Sequence, residues 1–356
     1  MRSHRGLWTA LLLLAFFSTA CSLPRAAAEA APASTGVVEE ADPVLPVASL
    51  VPVEIVTPGS SETGMSKPVQ TSASFPELPP ETPEEPPTLS PDVHIGPCEQ
   101  EVCIVPFQFP FVRPILPPGR DTIDPSYRFG TTAGGERDPH HGVEFLNSKG
   151  TPVLAAAAGE VVVAGDDLSV KLGLYPNMYG NLVVLKHVVP GMDEPVLTLY
   201  AHLSKIDVQV GDQVEAGQKL GEVGGTGAAL GSHLHLEVRY AEDTYAASRN
   251  PELWLQPLPD NSGQPMGVLA GRILDEQGKL VQVENIVVAS PSGLTFYIGT
   301  YAETALVGME PWQESFAVGD IPAGEYKISF IQGGMHERTV EVRPGQLTLV
   351  TFRLGE

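Results

Sequence analysis

The sequence predicts an all-β fold from its composition, its short apolar runs and a faint internal repeat. The chain has 356 residues, with 36 glycines, 34 prolines and only 18% charged residues, a composition typical of turns and strands rather than long helices. Runs rich in β-branched residues, such as 159–165 and 181–187, are bounded by glycine. In the repeat, residues 150–153 lead to Gly-Glu-Val at 159–161, and residues 211–214 lead to Gly-Glu-Val at 221–223, each predicting two strands joined by a turn.

The first 21 residues have the pattern of an export signal. Arg2 and Arg5 precede a largely apolar run from Leu7 to Phe17, and small residues then lead to Cys21. The run is shorter than the ~20 residues that span a bilayer, so we expect no transmembrane helix and a location outside the cytoplasm, either in the cell envelope or secreted. The stretch Ser-Thr-Ala-Cys resembles a bacterial lipobox, which implies a lipid anchor on Cys21. Ordinary cleavage after small residues is the alternative.

Residues 22–105 are predicted to be a disordered tether. They contain 15 prolines and 13 acidic residues against two basic ones, a composition that buries too little apolar surface to order the chain. Cys98 and Cys103 near its end are an even pair in an exported protein, which favours a small disulfide loop. A metal site that adds His94 is the alternative, but it offers fewer than the four ligands that structural zinc sites use.

The net charge of the chain argues against two classes of binding partner. The formal net charge is −22 at pH 7. A surface of this sign repels phosphate backbones and anionic lipid, so we expect no nucleic-acid binding and no polybasic membrane attachment.

Clustered histidines carry the predicted chemistry. Six of the nine histidines lie within 96 residues, at positions 140, 141, 187, 202, 233 and 235. The alternating stretch around His233 and His235 predicts a strand with both imidazoles on one face. On a strand, His140, Gly142 and Glu144 would also share a face, with the glycine leaving space between the outer two side chains. Two imidazoles and one carboxylate are a standard ligand set for catalytic zinc, although polar strand residues at a loop mouth are the plainer interpretation of either motif alone.

Residues from about 127 to 254 resemble the M23 family of zinc metallopeptidases, the lysostaphin-type endopeptidases that cut peptide bridges in bacterial peptidoglycan. The resemblance rests on the order and spacing of several stretches, at residues 140–145, 150–153, 180–187, 199–204, 210–218 and 231–237. It implies a duplicated antiparallel β architecture, a barrel-sandwich hybrid, within a domain that we place at residues 106–260.

The resemblance also implies roles for five side chains. His140, Glu144 and His235 would bind Zn²⁺, and His202 and His233 would be the catalytic histidines that position water and stabilise the oxyanion. Which of the two takes up the proton stays open. The family has aspartate where this chain has Glu144, whose side chain is one methylene longer.

Two further histidines receive less definite expectations. His141 falls at a variable position of the family pattern, so we assign it no role. His187 ends a predicted strand at a family-like position and is expected either near the cleft or on the surface.

The C-terminal residues 266–356 are predicted to form a second β domain. Their alternating apolar residues fit two packed sheets, and the stretches at 271–279, 316–330 and 339–346 resemble the carboxypeptidase regulatory-like β-sandwich. A stabilising or spacing module is expected, with wall or glycan binding as the alternative.

Two functional hypotheses follow from the resemblance. In the first, the protein is an extracytoplasmic zinc metalloendopeptidase that cleaves peptide cross-bridges of peptidoglycan during cell-wall remodelling. In the second, it is a non-catalytic protein of the same fold that binds the wall or activates another wall hydrolase.

Overall fold

The computed structural model describes residues 98–106, 109–260, 262–302, 306 and 308–355. The predicted export signal, Cys21, His94 and most of the predicted tether lie outside these residues. The described part consists of strands, loops and two short 3-10 helices, Tyr245–Ala247 and Pro251–Leu253, which confirms the all-β fold class. Neither of these helices has the length or the apolar character needed to cross a membrane.

The first group of strands builds the histidine region, which we define as residues 109–260. After β1 (Val102–Val105), its strands in chain order are β2 (Val143–Leu146), β3 (Pro152–Leu154), β4 (Gly159–Asp166), β5 (Asn181–His187), β6 (Val196–Ala201), β7 (Lys205–Ile206), β8 (Gln213–Val214), β9 (Lys219–Glu222), β10 (His233–Tyr240) and β11 (Ser248–Arg249).

The histidine region contains two antiparallel sheets. The larger sheet has the order β11-β10-β6-β5-β4-β8, and β2 also pairs with β10. The smaller sheet has the order β3-β9-β7. The sequence repeat appears here as an exchange of partners, because β3 pairs with β9 and β4 pairs with β8. Each half of the repeat therefore supplies one strand to each sheet.

The second group of strands forms a β-sandwich. Its strands are β12 (Met266–Leu274), β13 (Ile286–Ala289), β14 (Thr295–Ile298), β15 (Phe316–Pro322), β16 (Gly324–Ile331), β17 (Met335–Val342) and β18 (Leu347–Arg353). One sheet has the order β1-β18-β12-β15 and the other β14-β13-β16-β17. Buried side chains of both sheets form one apolar cluster, in which Leu269 and Phe352 of the first sheet join Ile328 and Val340 of the second. This layered packing agrees with the alternation of apolar residues in the sequence.

One strand lies inside the range that the sequence predicted to be a tether. This strand, β1, pairs antiparallel with β18, with Val102 opposite Val350. Its sequence, Val-Cys-Ile-Val, is a short apolar and β-branched run of the kind that extends a sheet. The predicted disulfide between Cys98 and Cys103 is confirmed, so neither sulfur is a thiolate that could join the alternative metal site.

The described part of the chain therefore begins with a strand of the sandwich, β1. It continues through the histidine region and then forms the remaining strands of the sandwich. A second apolar cluster runs across both parts, since it contains Val143 and Leu234 of the histidine region together with Val268 and Leu347 of the sandwich. The two parts therefore share a core.

Candidate metal centre and cleft

Strand β10 carries the main row of polar side chains. Along the strand, His233, His235, Glu237 and Arg239 alternate with apolar residues, and nearly the whole strand is buried. The burial follows from its position, because β10 pairs with β6 along one edge and with β2 and β11 along the other. The predicted strand and the predicted shared face of the two histidines are confirmed.

Strand β2 places the Glu144 carboxylate next to this row of polar side chains. Its register with β10 places Glu144 directly opposite His235. The expectation that His140 lies on the same strand is wrong, because β2 begins only at Val143. His140 instead belongs to the preceding loop, where its backbone N–H donates to the Thr131 carbonyl.

Gly142 has a packing role between these residues. A Cβ atom at this position would lie 2.7 Å from Cε1 of His235 and 2.5 Å from the Leu236 carbonyl oxygen. The sequence predicted an open space between His140 and Glu144, and the His235 ring occupies it. Only glycine permits this close approach without a shift of the backbone.

Three potential ligand atoms converge at this point. His140 Nε2 lies 3.0 Å from Glu144 Oε1, His235 Nδ1 lies 3.2 Å from the same oxygen, and the two nitrogens are 3.2 Å apart. Ligands held tetrahedrally at about 2.0–2.1 Å from a zinc ion lie about 3.3 Å from one another. The spacing of this buried His-His-Glu group therefore fits a metal ion of that kind.

Hydrogen bonds on the far side of each imidazole fix which nitrogen faces the group. Nδ1 of His140 donates to the Tyr127 carbonyl at 2.8 Å, and Nε2 of His235 donates to Glu237 Oε1 at 3.1 Å. Each ring nitrogen that faces Glu144 then presents a lone pair when its imidazole is neutral. The other carboxylate oxygen, Oε2 of Glu144, lies 2.8 Å from Nε2 of His233. Lone pairs that converge on one buried carboxylate oxygen are what a cation would satisfy.

The buried side chains of the group shift one another's pKa values. Burial disfavours the ionised form of Glu144, but the neighbouring His235 and His140 hold its pKa well below the usual range. Burial likewise disfavours a charged His235, yet the Glu144 and Glu237 carboxylates raise its pKa to about 9. A proton on His235 and a metal ion are therefore alternative counter-charges for the buried carboxylates.

His202 and His233 flank the group on one side. Their ring centroids are 4.7 Å apart, and Nε2 of His233 lies 2.8 Å from Glu144 Oε2. Nδ1 of His202 donates to the Thr226 carbonyl at 2.8 Å, and Nδ1 of His233 donates to the Gly231 carbonyl at 3.2 Å. Both rings line the cleft.

The backbone and the charge state of His202 are both unusual. It follows the end of β6 with a φ of +62°, in the left-handed region that costs most non-glycine residues on the order of 1 kcal/mol. Burial, together with the nearby His235 and His233, lowers the pKa of His202 to about 4. The imidazole is therefore neutral at pH 7, with a lone pair on Nε2.

A buried charge network behind His235 was missed by the sequence interpretation. Glu237 accepts a hydrogen bond from the Tyr179 hydroxyl and, through Oε2, one from Arg239 Nε at 2.8 Å. Arg239 continues to Asp243 at 2.7 Å, and the side chains of both Glu237 and Arg239 are fully buried. The signal was available, because the period of two that joins His233 to His235 continues to Glu237 and Arg239.

The two remaining histidines of the cluster take different positions. His141 lines the cleft, with Nδ1 within hydrogen-bond distance of the Tyr245 carbonyl and the Ser248 hydroxyl. The sequence led us to expect His187 near the cleft or on the surface, but it does not line the cleft and is not exposed. It is buried, with Ala158 and Thr198 as hydrogen-bond partners, and it has a structural role.

The cleft above the group has a volume of about 420 Å³. All five residues with predicted roles line it: His140, Glu144, His202, His233 and His235. Tyr127, Tyr175 and Leu230 also line it, the last two as exposed apolar side chains near its opening. The structure thus brings together side chains that are up to 95 positions apart in the sequence.

Residues 138–247 match the family model for peptidase family M23. This chain contains an M23 domain. The domain carries the whole His-His-Glu group and both flanking histidines, and the family description agrees with the resemblance found in the sequence.

Individual relatives match over the same part of the chain. The uncharacterized lipoprotein YgeR of Escherichia coli is 35% identical over 129 residues, which are 36% of this chain and 43% of that protein. The murein hydrolase activator NlpD of E. coli is 36% identical over 112 residues, 32% of this chain and 25% of that protein. The chain therefore aligns with less than half of either relative.

Among solved structures, the catalytic domain of the antimicrobial peptidase lysostaphin from Staphylococcus simulans is 31% identical to this chain. The match covers 36% of this chain and 86% of that domain, with a TM-score of 0.28.

Proposed function

We propose that the M23 domain is a zinc-dependent endopeptidase that cleaves peptide cross-bridges of bacterial peptidoglycan. The observation that carries the proposal is the convergence of His140 Nε2, Glu144 Oε1 and His235 Nδ1 within 3.2 Å of one another. Such a cluster is costly to bury unless a cation joins it. The match to peptidase family M23 supports the same conclusion.

In this proposal His140, Glu144 and His235 hold one Zn²⁺ ion. When bound, the ion supplies a Lewis acid that polarises the scissile carbonyl and makes water more acidic. Glu144 replaces the aspartate of the family pattern, and its longer side chain still brings Oε1 to both imidazoles. Tyr127 and Glu237 orient the two imidazoles through their outer nitrogens.

His202 and His233 act on the substrate side. Each imidazole is held through Nδ1 by a backbone carbonyl, so Nε2 is the nitrogen that would meet the reacting groups, and Nε2 of His233 also lies 2.8 Å from Glu144 Oε2. One ring, neutral at the start, takes up a proton from water on Nε2 and passes it to the leaving amine, while the other, protonated on both nitrogens, donates a hydrogen bond from Nε2 to the developing oxyanion. His202 is neutral at pH 7, so its Nε2 carries the lone pair that a proton acceptor needs.

A second function is supported by a specific relative. NlpD of E. coli is named a murein hydrolase activator and is 36% identical over 112 residues. The alternative proposal is therefore that this chain binds the wall or activates another wall hydrolase without cleaving peptide bonds itself.

Both functions require a location outside the cytoplasm. The export pattern at residues 1–21 supports it, and the relative YgeR is named a lipoprotein. We propose that Cys21 carries the lipid anchor. Labelling of cells with a fatty-acid analogue should mark the wild-type protein and leave Cys21→Ala unmarked, whereas equal labelling would contradict the proposal.

The enzymatic proposal is tested with the purified full-length mature chain. We expect about one zinc per chain by elemental analysis, loss of the metal and of peptide release from purified peptidoglycan after chelation, and recovery of both when zinc is added back. Peptide release by metal-free protein would contradict the metal site. Zinc binding without peptide release, combined with stimulation of a separate wall hydrolase, would favour the activator.

Substitutions can distinguish the proposed metal ligands from the proposed catalytic residues. Glu144→Ala should release zinc and abolish hydrolysis, because two imidazoles rarely hold a catalytic ion by themselves. Glu144→Asp should keep the metal. His202→Ala and His233→Ala should keep the metal and lose most turnover, and loss of zinc from either variant would show that a ligand had been mistaken for a catalytic residue.

A further inference from the structure

One loop segment, Tyr127–Thr131, lies against the metal ligand His140. The Tyr127 carbonyl accepts the His140 Nδ1–H, and the Tyr127 ring stacks on the imidazole at 4.0 Å between centroids. Backbone hydrogen bonds add to this contact, because Gly130 N–H donates to the His140 carbonyl at 2.7 Å and His140 N–H donates to the Thr131 carbonyl at 3.0 Å. The segment therefore holds both the backbone and the ring of His140.

The same segment is packed against the β-sandwich on its other side. A Cβ atom on Gly130, whose φ is +75°, would lie 2.4 Å from Cδ1 of Tyr301. The rings of Phe129 and Tyr301 meet edge to face with centroids 5.1 Å apart. The Ala302 N–H donates to the Gly130 carbonyl at 2.8 Å. These contacts come from residues that follow β14 of the sandwich.

Tyr301 is itself held rigidly. Its ring is buried, and its hydroxyl donates to Glu314 Oε1 at 3.0 Å while it accepts from Asn250 Nδ2 at 3.1 Å. An ion pair between Arg128 and Glu252 ties the segment to a second point, because Glu252 also accepts from the Gly319 N–H of the sandwich.

The three ligands differ in what supports them. Glu144 lies on β2 and His235 on β10, and these strands pair with each other. His140 precedes β2 and has no strand partner, so its position depends on the segment Tyr127–Thr131. A ligand without a strand partner is the one most sensitive to what packs behind it.

We propose that the β-sandwich is a positioning element for the metal site, in which Tyr301 fixes His140 through the segment Tyr127–Thr131. The inference rests on the proposed zinc site and gives the sandwich a role in it beyond that of a spacer. It predicts that zinc affinity depends on a side chain in the other part of the molecule, which touches neither the metal ligands nor the cleft.

The test measures zinc affinity of the full chain by competition with a chromophoric chelator. Tyr301→Ala should lower the affinity by about 10–100-fold, the range found when partners behind a ligand are removed. It should also alter the visible absorption spectrum of the cobalt-substituted protein, which reports ligand geometry. Tyr301→Phe keeps the ring against Gly130 and should retain both the affinity and the spectrum.

Tyr326→Ala is the matched control. Tyr326 is another buried tyrosine of the sandwich, but its hydroxyl donates to the Pro322 carbonyl and its ring faces Phe296. This variant should lose stability without a change of zinc affinity beyond about twofold. Circular dichroism establishes that each variant is folded, and Tyr301→Leu, which keeps an apolar side chain, replaces Tyr301→Ala if the latter does not fold.

Wild-type protein offers a measurement that requires no variant. Because coupling is reciprocal, zinc should slow hydrogen exchange of the Ala302 and Gly130 amides and leave that of Tyr326 unchanged. Wild-type zinc affinity in a folded Tyr301→Ala or Tyr301→Leu, or unchanged exchange at Ala302, would overturn the inference. A wild-type chain that binds no zinc would instead overturn the proposed function.

Discussion

Two buried glutamates, Glu144 in the cleft and Glu314 in the sandwich, illustrate two uses of a buried carboxylate. Both oxygens of Glu314 accept hydrogen bonds, Oε1 from the Tyr301 hydroxyl at 3.0 Å and Oε2 from the Met309 N–H at 2.8 Å. Glu144 faces imidazole nitrogens through both oxygens, those of His140 and His235 at Oε1 and that of His233 at Oε2. Matched donors mark a structural carboxylate, whereas converging lone pairs mark a site for a cation.

The pKa values of the two carboxyl groups are shifted in opposite directions because their neighbours differ. Burial raises the pKa of Glu314 to about 7, because its donors are neutral groups that only partly compensate the lost hydration. At Glu144 burial has the same tendency, but the surrounding imidazoles hold the pKa well below its usual range. Burial alone therefore does not identify a metal ligand, and the charge and direction of the neighbours do.

The sharpest test of this comparison exchanges each glutamate for glutamine and measures zinc affinity at pH 6. Glu144→Gln should weaken binding by more than about 100-fold, because it removes a charged ligand rather than an outer partner. Glu314→Gln should change the affinity by less than about twofold, since glutamine resembles the protonated acid that Glu314 is at this pH. Equal effects of the two substitutions would remove the distinction.

A second test uses the pH dependence of stability. Since folding raises the pKa of Glu314 to about 7, its neutral form stabilises the fold fully below the unfolded pKa near 4.5, and this contribution is lost as pH rises through 7. The loss amounts to about 3 kcal/mol, from ~2.5 pKa units at 1.36 kcal/mol each.

Urea unfolding of wild type and Glu314→Gln at pH 5 and pH 8 measures this contribution. The variant should gain about 2.5 kcal/mol relative to wild type over that interval, because part of the loss has already occurred at pH 5, and histidines that titrate in both proteins cancel in the difference. Parallel pH profiles would show that Glu314 is ionised in the folded protein.

The smallest expected effect concerns the network behind His235. Glu237→Gln removes the charge that faces His235 Nε2 and Arg239 but preserves the shape of the side chain. We expect zinc affinity to fall about tenfold. Glu222→Gln, which alters a partly exposed glutamate of β9 paired with Lys219, is the control and should have no effect. If Glu237→Gln bound zinc as tightly as wild type, the network would have no role in zinc binding.

Much of the cleft could be predicted from local pattern. The period of two around His233 and His235 fixes a shared face on any strand, whatever the rest of the fold does. The spacing of His140, Gly142 and Glu144 indicated that these residues act together, although His140 lies before the strand and not on it. The disulfide between Cys98 and Cys103 followed from cysteine count and their short separation.

Other features depend on residues that are distant in sequence. The composition of residues 22–105 indicated a tether, but a short apolar run at its end gains a partner strand only when β18 is in place. Similarly, His187 belongs to a regular cluster of histidines in the sequence, yet the fold buries it between Ala158 and Thr198.

The sequence by itself determined the strand pattern, the chemical types of the five cleft side chains and their order along the chain, because these depend on local periodicity and residue identity. Tertiary structure decided the support of each proposed ligand: β10 holds Glu144 in register opposite His235, and the sandwich reaches His140 through Tyr301 and Gly130. That support comes from pairs such as Gly130 and Tyr301, which are 171 positions apart. Packing between residues so far apart produces no periodic pattern in the sequence from which it could be predicted.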